Sequence, residues 1–441
     1  KNYQKIYFLK HFLNFSVFYS SSIVFFYLIK LRFNSSFLSF LAFLFYITSP
    51  RIFAESFYNS KDIIFMSFMV FAIFFGIKLL KNNKIKNIIL FSLFCALATS
   101  IRSIGIFLLL LILGFIIIEN LEAKIFTYKK IRIIFSISIF FFLFTCFFWP
   151  YLWLNPINGL ITSLKTLGND QYGWGGSNFY LGNYVKATNV PWHYSFVWIA
   201  ITTPLIYSIL FIFGSYKIIY DFFSNLDNLW KNLDEKIDLF ILLFFFIPLL
   251  TVITLNSALY DGWRHLYFIY PALIYISVFG LKCLLNLKRN KFYINLTYSV
   301  VAISIFINIF NIVKLHPFQN IYFNILVEKK ANNLFSIDYW GLANSHSIIK
   351  ILNDMDDEKT ASVRTASFTP LQFTKYIIDM KKLKNLHFSG TEGNNSDYIF
   401  TNYIYEGNPK YKKKYFIQKN YEKIFTLSRG NVVINEVFKK K

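Results

Sequence analysis

Ten apolar runs crowd the first 312 residues of this chain, and they restrict its fold more than anything else in it. They fall at 12 to 30, 35 to 49, 63 to 80, 87 to 101, 104 to 118, 132 to 149, 194 to 213, 238 to 255, 265 to 283 and 293 to 312. In a bilayer no water is present to bond the backbone, so such runs fold as helices whose amides pair internally. With a rise of about 1.5 Å per residue, roughly 18 to 20 residues cover the ~30 Å hydrocarbon core. Most runs meet that length. Those at 87 to 101 and 104 to 118 are short and read either as two spans or as one re-entrant pair. Only 16% of residues are charged while 55% are hydrophobic, which excludes an ordinary soluble protein.

The net charge of +23 is a topology signal once each charge is placed. One set of loops (30 to 36, 78 to 86, 119 to 132, 214 to 237, 282 to 291) is strongly basic, with Lys30, Arg32, Lys78, Lys81, Lys124, Lys231, Lys236, Lys288 and Arg289 among its cations. The opposite set holds Arg51, Lys61, Arg102, Lys165, Lys186 and Arg264. The positive-inside rule makes the first set cytoplasmic, so nucleic acid is not the expected partner and membrane lipid is. This orientation places residues 1 to 11 outside, and the first run lacks the small-residue cleavage site of a signal peptide. The expectation is an N-terminally incomplete sequence with about ten transmembrane helices here and eleven when complete.

Beyond residue 313 the long apolar runs stop, and 20 Lys or Arg stand against 12 Asp or Glu. The expected division is a multi-spanning domain over 1–312 and a small extracytoplasmic α/β domain over 313–441. SHSIIKILNDM reads as a helix, TASVRTASF as a strand, PLQFTKYIIDMKK as a helix with Pro370 in its first turn, and SDYIFTNY as a strand. KIFTLSR and NVVINEVF, joined through Gly430 and Asn431, read as a closing hairpin. No nucleotide-binding glycine pattern occurs. Cys95, Cys146 and Cys283 all lie in apolar runs and suggest neither disulfides nor a metal cluster.

Acids are scarce in the less basic set of loops, which holds only Glu55, Asp62, Asp170 and Asp261. The loop SPRIFAESFYNSKD (49 to 62) concentrates Arg51, Glu55, Lys61 and Asp62. Its carboxylates suit accepting a proton or holding a divalent metal, and Lys61 suits balancing a phosphate; Asp62 also suits a helix cap. Arg102, in ATSIRSIG between the two short runs, is costly unless it meets a partner or the interface, and a phosphate is such a partner. ALYDGWRHLYFIYP (258 to 271) places Asp261, Arg264 and His265 at a helix start among aromatics. There Arg264 and His265 suit a lipid-linked phosphate, and Asp261 suits orienting Arg264; an interfacial Arg and a buried, hydrogen-bonded His are the plainer alternatives. The long loop 150 to 193 is rich in Trp, Tyr, Gly and Asn, which suits stacking on and hydrogen-bonding to sugar rings or an interfacial loop of short pieces.

The order of SPRIFAESFYNSKD, ATSIRSIG, NVPWHYSFVWIAITTP, ALYDGWRHLYFIYP and HPFQNIYFNILVEKKANNLFSIDYWGLANSHSIIK resembles bacterial membrane glycosyltransferases of the C superfamily, in the dolichyl-phosphate-mannose-protein mannosyltransferase-like branch (glycosyltransferase family 39-like). DGWRH and DYWG are the most specific strings. The resemblance implies a plasma-membrane (inner-membrane) enzyme that moves a sugar from a polyprenyl-phosphate-linked donor to a glycan, lipid or protein acceptor on the outer face. It places the second-loop acid of the family on Asp62, with Glu55 beside it, and the phosphate-binding positions on Arg102 and Arg264, and it puts the principal first-loop Asp upstream of this chain. Such a reaction inverts the sugar and needs a base, with cations or a divalent metal to stabilise the leaving phosphate. Two other classes stay open at this point: a transporter or flippase of lipid-linked sugars, and a non-catalytic membrane anchor for envelope assembly.

Overall fold

The computed structural model describes residues 3–122, 128–165, 175–224, 232–287, 290–356, 358–379, 381–391 and 395–441. Lys124, Asp170, Lys231, Lys288, Arg289 and the middle of the 150 to 193 loop lie outside the described residues. The helices run α1 (Tyr3–Phe33), α2 (Ser36–Ile47), α3 (Pro50–Tyr58), α4 (Asp62–Lys81), α5 (Ile85–Ile101), α6 (Ile106–Glu122), α7 (Tyr128–Phe148), α8 (Pro156–Lys165), α9 (Tyr194–Thr202), α10 (Leu205–Phe223), α11 (Leu233–Thr254), α12 (Tyr270–Leu287) and α13 (Lys291–Leu315). Among the described residues, α1, α4, α7, α10, α11, α12 with the 3-10 turn before it, and α13 are long and apolar enough to cross a membrane. The pair α2 and α3, bent by 66°, makes up to an eighth, and α5 and α6 are shorter apolar helices. The chain is an α-helical polytopic membrane protein with a small C-terminal α/β domain.

Two breaks depart from the sequence reading, and proline explains both. The segment 49 to 62, read as a loop, is mostly the helix α3: Ser49 is extended and Pro50 takes the first helical position, where its missing N–H costs nothing. The run 194 to 213, read as one span, splits into α9 and α10 because Pro204 cannot donate and holds Thr203 extended. At the α2–α3 bend the Tyr270 hydroxyl lies 2.9 and 3.0 Å from the Phe45 and Tyr46 carbonyls, acceptors near a helix end that otherwise lack donors.

The chain forms two compact units. One comprises residues 12–174 and 188–308, the other 1–11, 175–187 and 309–441. In the first, α10 and α12 pack with their backbones close together: a Cβ at Gly214 would lie 2.2 Å from the Ile276 carbonyl, and one at Gly280 would lie 2.3 Å from that of Leu210. Ion pairs fix the far end of the bundle. Arg32 holds Asp238 through Nε at 2.9 Å and Asp234 at 3.1 Å, while the Tyr275 hydroxyl donates to Asp238 at 2.6 Å.

The second unit is built on a five-stranded sheet in the order β4-β3-β5-β7-β6, with β3 (Ala361–Thr365), β4 (Leu386–Phe388), β5 (Tyr398–Thr401), β6 (Tyr421–Arg429) and β7 (Val432–Lys440). β3 runs parallel to β4 and β5, and β7 antiparallel to β5 and β6. Two short helices, α14 (Ala331–Leu334) and α15 (Asn344–Asp354), precede it, and Ile348 and Ile351 of α15 pack on Val363, Phe400 and Val437. PLQFTKYIIDMKK, read as an α-helix, forms only the 3-10 segment Leu371–Tyr376. There the β-branched Thr374, Ile377 and Ile378 and the aromatic Phe373 and Tyr376 give the stretch low helix propensity. DYWG is a turn. Asp338 is buried, which raises its carboxyl above the usual range, and it accepts from the Leu342 and Ala343 amides at 3.1 Å each. Gly341 there has φ +63° and no room for a Cβ.

A Leu at Gly280 must push α10 from α12 and should lower stability by about 1–3 kcal/mol. Thermal unfolding in detergent checks this, with Gly114→Ala as the neutral control because a Cβ there meets nothing within 4 Å.

Candidate functional site

Seven of the charged residues singled out above stand at one end of the membrane unit, brought there by three interruptions of helix. The first is the corner between α3 and α4. Asn59 ends α3 and uses its whole amide: Nδ2 donates to Glu55 Oε2 at 2.8 Å and to Asp62 Oδ2 at 3.0 Å, and Oδ1 accepts from the Asp62 amide at 3.0 Å. Asp62 thus starts α4 with its carboxylate fixed beside the positive end of the helix dipole.

The second is the end of α5. Arg102 leaves the helix in extended conformation (φ −143°) and a 3-10 turn, Ser103–Gly105, reverses the chain. Only glycine fits at 105, since a Cβ would sit 2.6 Å from the Thr99 nitrogen. The third is the DGWRH string, where Asp261 (φ +57°) and Gly262 (φ +67°) are both left-handed and lead into the 3-10 turn Arg264–Ile269. A non-glycine residue in that region is uncommon, and Asp is among the types that tolerate it. Trp263 anchors the turn by donating Nε1–H to the Thr202 hydroxyl at 2.9 Å.

These turns converge on Asp62. Arg102 Nη2 donates to Oδ1, and Arg264 Nη1 donates to Oδ2 at 3.1 Å. Asp261 pairs with Arg264 Nε at 3.5 Å, and the Tyr260 ring lies 4.7 Å from the Arg264 guanidinium carbon. The His265 ring meets Tyr260 edge-on, 4.6 Å between centroids. Arg51 lies over the Trp198 ring at 5.5 Å. Lys61 is exposed at the rim, and partial burial together with the Arg102 guanidinium lowers its ammonium below the usual range.

Burial decides what the cluster does. The Asp62 side chain is 1% exposed and both oxygens are taken by donors, so it is suited to orienting guanidiniums and cannot take a proton without releasing one. Glu55 is 2% exposed and is tied to the same Asn59. Arg102, at 19%, is the most accessible member of the triad. Two guanidiniums and an ammonium against the carboxylates of Asp62 and Asp261 leave a surplus of one positive charge, which suits an anion with several acceptor oxygens. Among the described residues no group of three or more His, Cys, Asp or Glu is placed to hold a metal.

The sequence reading singled out Glu55, Asp62, Lys61, Arg102, Asp261, Arg264 and His265, but not Asn59, Tyr260 or Trp198. Asn59 had a signal in its spacing, four residues after Glu55 and three before Asp62, the offsets at which helical side chains meet. Tyr260 and Trp198 had none among so many aromatics.

Removing a buried partner leaves uncompensated charge, so Asp62→Ala should destabilise the protein by about 3–5 kcal/mol. The exposed Lys61→Ala should stay within about 0.5 kcal/mol. Denaturation of the two variants in one detergent checks the contrast.

Residues 12–149 match the family model described as dolichyl-phosphate-mannose-protein mannosyltransferase, a span that holds Arg51, Glu55, Asn59, Asp62 and Arg102. No curated protein matches the sequence. Among solved structures, ArnT from Cupriavidus metallidurans in the apo state is similar at 8% identity and a TM-score of 0.42, covering 96% of this chain and 83% of that one. The same protein bound to undecaprenyl phosphate is similar at 9% identity and a TM-score of 0.43, covering 98% and 83%. At that level the likeness carries no functional weight. The part of the chain that is similar to the dolichyl-phosphate-mannose-protein mannosyltransferase family is thus residues 12–149, which hold the α3–α4 corner and Arg102.

Proposed function

We propose that this protein transfers a sugar from a polyprenyl-phosphate-linked donor to a hydroxyl of a glycan, lipid or protein acceptor, on the outer face of the plasma membrane. One observation carries the reading: Asp62 holds Arg102 and Arg264 side by side, ready for a phosphate. The family description, which names a dolichyl-phosphate-linked sugar, supports the same class of donor.

The side of the membrane follows from charge. Lys81, at the far end of α4, donates to the Leu31 carbonyl at 2.8 Å, beside Arg32. α4 has 20 residues, so this basic end lies about 30 Å from Asp62. With Lys30, Arg32, Lys78, Lys81 and Lys236 facing the cytoplasm, the Asp62 end faces out, and the small domain lies on that outer side in this proposal.

The acceptor oxygen attacks the anomeric carbon as its hydroxyl proton passes to a general base and the bond from that carbon to the polyprenyl phosphate oxygen breaks, and the configuration inverts. Negative charge grows on the departing phosphate, where Arg102 and Arg264 stabilise it without reorganising, because Asp62 and Asp261 hold them in place. Lys61 and His265 stand at the rim of the same anion site. Asp62 and Glu55 act as positioning residues: Asp62 on the guanidiniums, Glu55 on Asn59 and so on Asp62.

The test is transfer by the reconstituted full-length protein from labelled polyprenyl-phosphate sugars. Arg264→Gln should lower kcat/KM by roughly 100-fold, as loss of one preorganised donor does elsewhere. Full turnover by that variant, or no transfer by the unaltered protein from any polyprenyl-linked donor, would overturn the reading.

A further inference from the structure

The second unit contains a cavity of about 560 Å³ whose lining shares no residue with the Asp62 cluster. Three segments far apart in sequence line it, together with Val433 of β7. One is an antiparallel hairpin, β1 (Ser177–Tyr180) and β2 (Asn183–Lys186), within the loop 150 to 193. The others are 332–337, around the end of α14, and the turn 402–407 after β5.

Backbone bonds hold the walls together. The Gly182 amide donates to the Leu334 carbonyl at 3.1 Å, and that of Ser336 to Phe179 at 3.3 Å. The Ser177 amide donates to the Tyr405 hydroxyl at 3.0 Å, and the Tyr184 hydroxyl to the Glu406 carbonyl at 2.6 Å. The turn itself is strained: Tyr403 (φ +64°) and Tyr405 (φ +67°) are left-handed, a conformation rare for bulky residues. Such residues persist where the surrounding structure fixes them, and they cluster at binding sites.

The lining is aromatic and polar at once. Phe179 and Tyr184 lie 5.0 Å apart, Tyr403 is 36% exposed, and Ser336, Asn402 and Glu406 add a hydroxyl, an amide and a carboxyl. Asn402 is 2% exposed and its Oδ1 has no hydrogen-bond partner among the described residues, an acceptor that a ligand's donor would satisfy. Glu406 keeps one contact, accepting from the Thr401 hydroxyl at 2.9 Å; its burial, and then the nearby Glu436, raises its carboxyl above the usual range. In a unit so rich in lysine, no Lys, Arg or His occurs among the described residues that line the cavity.

We infer that this cavity is a binding site for a neutral saccharide. Aromatic faces receive the CH face of a pyranose, while Asn402, Ser336 and Glu406 bond its hydroxyls. The size suits a small ligand, such sites being about 300–1,000 Å³. The absence of cations from the lining disfavours phosphates and anionic headgroups, which belong instead to the arginine pair of the first unit. The inference does not rest on the transfer reaction, since a protein that binds sugar here without transferring any would still fit it.

Saturation-transfer NMR on the full-length protein in nanodiscs tests this, with methyl mannoside, N-acetylglucosamine, lactose and mannose 6-phosphate as probes. At least one neutral sugar should receive saturation. Its binding should weaken at least roughly fivefold in Phe179→Ala, the cost of one lost stacking partner. It should weaken also in Glu406→Gln, which keeps the side chain's size and its bond to Thr401, and should vanish in Ser336→Trp, which fills the cavity. Arg264→Gln should leave it unchanged. The inference fails if no neutral sugar binds, if the three cavity variants bind as the unaltered protein does, if mannose 6-phosphate binds in preference, or if Arg264→Gln alone abolishes the signal.

Discussion

A carboxylate buried where a helix bundle meets the membrane boundary is tolerable only with partners, and Asp62 has three of them, Arg102, Arg264 and Asn59. Each partner comes from a different stretch of chain, and each stretch is a place where a helix stops. The corner at Asn59, the extended Arg102 and the left-handed pair Asp261–Gly262 are local costs in backbone regularity. They are met by one shared ion cluster, so the cluster and the three turns depend on each other. Removing the carboxylate would leave two guanidiniums facing each other at the ends of α5 and of the turn into α12.

The same arrangement divides the work between the ends of the bundle. Around Asp62 the cations Arg102, Arg264 and Lys61 outnumber the carboxylates of Asp62 and Asp261 by one. At the far end Arg32 is met by both Asp234 and Asp238, with Tyr275 closing the pair, and Lys236 by Glu119 at 2.9 Å. Those cations are consumed in holding helices together. Charge that is balanced inside the fold serves structure, and charge left in surplus at a rim is available to a ligand.

Hydropathy made the membrane character legible, because long apolar runs have one physical solution in lipid. The scarcity of acids outside the basic loops singled out Glu55, Asp62 and Asp261, and the structure brings all three to one end of the membrane unit. What stayed hidden was set by three-dimensional contact. Pro50 and Pro204 were visible, but whether a proline opens a helix or splits a span depends on which carbonyls find donors, as those of Phe45 and Tyr46 do in Tyr270. Asn59 was hidden because its value lies in reaching two acids at once. The 371–376 stretch looked helical by pattern, yet its β-branched and aromatic residues have low helix propensity and it forms a 3-10 turn. The hairpin at 177–186 lay in a loop whose composition spoke only of sugar or interface, with strands too short to show alternation.

The account rests on Arg102 and Arg264 acting together as a phosphate site organised by Asp62. Binding of unglycosylated polyprenyl phosphate to the full-length protein, followed by native mass spectrometry, measures this without any chemistry. The account predicts saturable binding that weakens in Arg102→Gln and in Arg264→Gln, and that the double variant is little worse than either, since the pair works as a unit. Equal binding by all four proteins would contradict it.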